Sequence, residues 1–111
     1  LCLDQPPPVT PELPDGQNVE FVVRVGPRAV ALRVHERGVG ETQSCGTGVC
    51  AAVVATVQAA GEGRGEPWVV DVPGGRLSVV WTAAGPVLLT GPAVLVAAGE
   101  ARPDWLAAVA S

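Results

Sequence analysis

The twelve residues from Val49 to Ala60, VCAAVVATVQAA, constrain this chain more than any other segment. The run is too long for an ordinary strand and has helical length. Its apolar side chains project on nearly every side, so the spacing predicts a helix buried all round. Alanines and valines keep such a helix slim, and a sheet can wrap closely around it. Gly61 and the EGRG segment end it.

The remaining patterns supply strands. Val19, Phe21, Val23 and Val25 alternate with Glu20, Val22 and Arg24, the period of a half-buried strand. After a Gly26-Pro27 turn, Val30, Leu32 and Val34 alternate with Ala31, Arg33 and His35, and the two strands form a hairpin. Trp68 to Val72, Arg76 to Trp81, Val87 to Thr90 and Ala93 to Ala97 read as four more. Leu1-Cys2-Leu3 reads as the middle of a strand. Residues 5–17 hold five prolines, which lack the donor a sheet needs, and form a surface connection. Residues 98–111 are a C-terminal tail with a short helix around Trp105. The expected class is α+β, an antiparallel β-sheet wrapped around a central buried helix, in one domain of residues 1–111.

Composition narrows the function. Hydrophobic residues make up 48% and charged residues 16%, the reverse of a disordered tail. All seven basic residues are scattered arginines against 11 acidic ones, so no footprint for nucleic acid exists. No apolar run approaches bilayer length, and no basic-then-apolar leader opens the chain. Three cysteines, an odd number, argue against a disulfide scaffold and for a reducing, cytoplasmic setting. Cys45 and Cys50 are too few for a structural zinc site by themselves. The chain opens at Leu1 within an apolar run and contains no methionine, which reads as a fragment; a mature domain released by processing is the rival view.

The sharpest local chemistry is Ser44-Cys45-Gly46-Thr47-Gly48, directly before the apolar run. Ser44 is the expected N-cap, with Cys45 in the first helical turn. Free backbone N–H groups there stabilise negative charge and suit a thiolate. Gly46 and Gly48 leave the amides open to an anion, and Thr47 adds a hydroxyl. Cys45 can then be a nucleophile, a proton-transfer acid or base, or an inert packed thiol. A thiol nucleophile normally wants a histidine base, and the lone His35 falls on the strand face opposite Glu36. Glu36 shares the parity of Val30, Leu32 and Val34, so its carboxylate points toward the core, unless the alternation breaks at the turn and leaves it solvated. Arg37 offers a bidentate grip for a carboxylate, or is an ordinary surface arginine. Cys50 and Cys2 read as core cysteines.

The run Glu36-Arg37-Gly38-Val39-Gly40-Glu41-Thr42-Gln43-Ser44-Cys45-Gly46-Thr47-Gly48 resembles the second cysteine signature of the diaminopimelate epimerase family. Asn18-Val19-Glu20-Phe21, Asp71-Val72-Pro73-Gly74-Gly75 and Leu89-Thr90-Gly91-Pro92-Ala93 are similar to other segments of that family, so the resemblance covers nearly the whole chain. It implies one half of a two-domain enzyme, the C-terminal half, with the substrate between halves and one cysteine from each helix start. It implies that Cys45 is an acid/base thiol and that Glu36 supports it and contacts substrate. Asn18 and Arg37 would hold the non-reacting end of the substrate, and Gly46 and Thr47 would bind the anion at the reacting centre. The implied reaction interconverts LL- and meso-2,6-diaminopimelate by two-thiol proton transfer, in lysine and peptidoglycan precursor synthesis, with neither pyridoxal phosphate nor metal. The partners implied are diaminopimelate and the missing N-terminal half in cis, with a homodimer open. The partner cysteine and an upstream asparagine and histidine have no counterpart here, so the chain alone is expected to be inactive. Two other classes stand beside this one: a proline-racemase-like or phenazine-isomerase-like enzyme of the same fold, and a non-catalytic binding module.

Overall fold

The computed structural model describes residues 1–110. Strand β1 (Val19–Gly26) and strand β2 (Ala29–Glu36) form the expected hairpin, antiparallel, with Val22 opposite Leu32 and Glu20 opposite Val34. Strand β3 (Gly40–Thr42) turns back on the end of β2, placing Gly40 opposite Glu36. Helix α1 (Gly46–Ala60) follows, then β4 (Pro67–Val72), β5 (Gly75–Trp81), β6 (Val87–Thr90) and the short helix α2 (Pro103–Val109). The sheet runs β1-β2-β4-β5-β6, with β3 branching from β2. One edge of β2 is therefore shared: its first residues pair with β4 and its last with β3. The β2–β4 pairing is parallel, so the sheet is mixed rather than antiparallel throughout. That follows from α1, which carries the chain back across the sheet between them.

Helix α1 lies against one face of this sheet. Val30, Leu32, Trp68, Val70 and Val79 are buried there against Val49, Ala52, Val53 and Val57 of the helix. Each large apolar side chain so buried contributes about 1.5–3 kcal/mol. The opposite side of the helix, with Ala51, Ala55 and Ala59, is exposed, so α1 is not buried all round. Uniform apolarity made its faces indistinguishable in sequence; Val49, Val53 and Val57 take the sheet with Ala52, and the other alanines stay outside. Gly61 ends the helix in the left-handed region, φ 69°, and its N–H donates to the Val57 carbonyl at 2.9 Å.

The pairing also reverses β1. Cross-strand partners share a face, so Glu20, Val22 and Arg24 follow Val34, Leu32 and Val30 toward the helix. Val23 and Val25 lie outside, 63% and 56% exposed. Residues 1–3 form no strand; Leu3 is buried, but Cys2 is exposed and is not a core cysteine. Ala93–Ala97 also forms no strand, with Leu95 fully exposed, because nothing lies alongside it to complete a ladder. The radius of gyration is 17.6 Å, against about 13 Å for a compact chain of similar length. No helix among the described residues is long and apolar enough to cross a membrane.

Candidate active site

Cys45, not Ser44, is the N-cap of α1, with extended backbone at φ −132° and ψ 108°. No side chain caps the helix, and the Cys45 carbonyl accepts the first helical bond from Val49 N–H at 2.8 Å. The amides of Gly46, Thr47 and Gly48 precede that first bond and have no helical acceptor. Gly46 and Thr47 are exposed beside the Cys45 sulfur, whereas Gly48 is buried over the Glu20 carboxyl. Cys45 is half-buried and Thr47 exposed. The Thr47 hydroxyl lies 3.5 Å from Cys45 Sγ, in reach for either direction of donation. On the other side Leu89 of β6 closes on Gly46, 3.3 Å from where a Cβ would stand.

The start of β1 brings Asn18 to the same place. Its Nδ2 lies 3.9 Å from Cys45 Sγ, and its Oδ1 accepts the backbone N–H of Arg37 at 2.9 Å. The β1–β2 register makes this meeting: Val19 opposes His35, so Asn18 reaches the residues just past the end of β2. Of the residues singled out in sequence, Asn18, Cys45, Gly46 and Thr47 thus converge on one helix start.

Glu36 ends β2 on the face expected from its parity, half-buried, and accepts a hydrogen bond from Thr42 Oγ1 of β3. Its carboxylate is therefore held by Thr42 rather than by Cys45. Sequence reasoning passed over both Thr42 and Glu20. Glu20 extends from β1 beneath the first turn of α1, with Oε1 buried and without a hydrogen-bond partner. Burial, and to a lesser degree the Glu36 charge, pushes its carboxyl above the usual carboxylate range. Its signal in sequence was the parity it shares with Val22 and Arg24, readable only once the face of β1 is known. His35 is on the opposite face, as expected, and is buried with Nδ1 2.6 Å from the Leu3 carbonyl. That removes it further from any role as base for Cys45.

Arg37 follows Glu36 just past the end of β2. It lines a cavity of about 440 Å³ with His35, Asp4, Asp15 and Gly38, on the outer side of the sheet end. Arg24, Arg28, Arg33, Arg76 and Arg102 each pair with a carboxylate, and Arg64 stacks 4.0 Å from the Trp81 ring centre. Among the described residues the Arg37 guanidinium alone has no such partner. Cys50 packs half-buried against the core, and burial pushes its thiol up, as an inert cysteine should behave.

Comparison with known proteins gives a consistent result. The family model described as diaminopimelate epimerase matches residues 9–96. A diaminopimelate epimerase of Streptomyces coelicolor is 54% identical over 101 residues, covering 86% of this chain and 35% of that protein. Those of Geobacillus kaustophilus and Pseudomonas fluorescens are 53% and 48% identical, covering 80% and 83% of this chain but 31% and 33% of their own lengths. The chain thus spans about a third of the length of the curated relatives it matches.

Proposed function

The chain belongs to the diaminopimelate epimerase family, and from this premise we propose that it supplies one proton-transfer thiol, Cys45, to a cofactor-independent epimerase of LL- and meso-diaminopimelate. The observation that carries the reading is the convergence of Asn18, Cys45 and Thr47 on the uncapped α1 start, where Gly46 and Thr47 are exposed. The α-hydrogen of an amino acid is a very weak acid. A thiolate on one face removes it as a proton, leaving the electron pair on the α-carbon and its carboxylate. A thiol on the other face then delivers a proton there, and the centre is inverted with no net change in composition. The uncapped amides of Gly46 and Thr47 would stabilise the charge developing on the α-carboxylate. The second thiol comes from the part of the enzyme outside these residues.

Arg37 is the candidate for the distal carboxylate, since its guanidinium has no acceptor within the described chain and its fork matches one. Glu36, held by Thr42, would support the site from the end of β2. The setting that fits is cytoplasmic synthesis of lysine and peptidoglycan precursors. The test mixes this chain with diaminopimelate in deuterated water, with and without the separately expressed remainder of the enzyme. Label should enter the α-position only when both are present. Incorporation by this chain alone would overturn the two-thiol reading, because it would require a complete proton-transfer site within these residues.

A further inference from the structure

We infer that Glu20 is a positioning residue for the active site: its side chain is the prop beneath Gly48 that sets how far the α1 start, with Cys45 and the exposed Gly46 and Thr47, stands from β1. This deepens the reading above and rests on it. Gly48 is buried, and a Cβ there would meet Glu20 before anything else, with Oε1 at 1.8 Å, Cδ at 2.6 Å and Cγ at 3.2 Å. The end of the Glu20 side chain therefore occupies the place that any larger residue at position 48 would need. Asn18 lies two residues before Glu20 in the chain, and its amide stands 3.9 Å from Cys45 Sγ. One short segment thus meets the helix start at two points, Asn18 at the N-cap and Glu20 one turn further on.

The side chain is held there by packing and register, not by hydrogen bonding. Glu20 opposes Val34, which turns it toward the helix, and its Oε1 is buried without a hydrogen-bond partner. A buried polar atom without a partner is unfavourable, and an apolar side chain would avoid that cost. Its retention marks a constraint of shape at this place. A carboxyl is planar, and it fits under the bare backbone of Gly48 where the tetrahedral end of a leucine would not. Burial also raises its carboxyl, so the neutral form is the one favoured beneath the helix.

Two substitutions move the helix start in opposite senses. Glu20→Ala removes the prop and lets the first turn settle toward β1, and Gly48→Ala adds a methyl group above the carboxyl and lifts it. In the full-length enzyme each should lower kcat for diaminopimelate by about ten-fold with KM changed by no more than about two-fold, because a shift of about 1 Å is felt mainly in the chemical step. The double variant, in which the new methyl group fills part of the space left by Glu20, should turn over faster than either single variant. Glu20→Gln keeps the planar end and should hold most of the activity. Amide hydrogen exchange followed by NMR reads the same contact without substrate. The Val49 N–H makes the first helical bond, to the Cys45 carbonyl. It should exchange faster in both single variants than in the wild type and be slowed again in the double variant, with the Val53 and Val57 amides unchanged. If Glu20 serves stability alone, the folded single variants keep the wild-type kcat, or their losses add in the double variant, and the inference falls. A wild type inactive on diaminopimelate would overturn the epimerase reading instead. The Val49 exchange then decides by itself, and equal rates in all the variants would overturn the prop.

Discussion

Gly48 and Glu20 form an interlock that a double-mutant cycle can measure. Gly48 is buried in ordinary helical backbone, where replacing glycine by alanine normally gains about 1 kcal/mol. Here a Cβ would stand 1.8 Å from Glu20 Oε1, 2.6 Å from Cδ and 3.2 Å from Cγ. The whole end of the Glu20 side chain must move by more than an ångström, or the helix start must lift off β1. Overpacking of this kind costs about 1–3 kcal/mol. Gly48→Ala should therefore destabilise the wild type by up to about 2 kcal/mol, the propensity gain offsetting part of the clash. In a Glu20→Ala background the obstacle is gone, and the same change should stabilise by about 1 kcal/mol. The coupling is then on the order of 1–3 kcal/mol, within the range for residues in direct contact. Chemical denaturation of the four proteins at one pH, followed by circular dichroism, gives the cycle. Equal stabilisation by Gly48→Ala in both backgrounds would refute the interlock, because it would mean that the Glu20 tip swings into solvent at no cost.

Burial raises the Glu20 carboxyl, so the ionised form is the one the fold disfavours. Its contribution is fully present below the unfolded value and is lost as pH rises through the folded one. Glu20→Gln should therefore gain stability relative to the wild type as pH rises through the window just above 4.5; parallel stability curves would contradict this. Cys45→Ala should abolish epimerisation in the complete enzyme with the fold retained, whereas Cys50→Ala should keep most activity, and equal losses in well-folded samples would undo the assignment of Cys45. Arg37→Lys should raise KM for diaminopimelate by about ten-fold with little change in kcat, because lysine lacks the planar fork and the distal end is bound alike in ground and transition states. A collapsed kcat at unchanged KM would move Arg37 to the reacting centre.

The local patterns of the chain determined a good deal on their own. Alternation located β1, β2, β4, β5 and β6 to within a residue or two, and the glycine-rich run before the apolar stretch placed Cys45 at a helix start. These are short-range properties, set by side-chain period and by which backbone amides a helix leaves free. What the sequence left open depends on partners far along the chain. The face of β1 turned inward was decided by its register with β2, which buries Glu20 and exposes Val23. The three-residue β3 is too short to carry a period and exists because β2 offers it an edge. Ala93–Ala97 has the composition of a strand, but no neighbour supplies its hydrogen bonds, and it stays unpaired. At the site, sequence named Asn18 and Cys45 separately. Only the hairpin register joins them across 27 positions, and only the Arg37 N–H dictates which end of the Asn18 amide meets the sulfur.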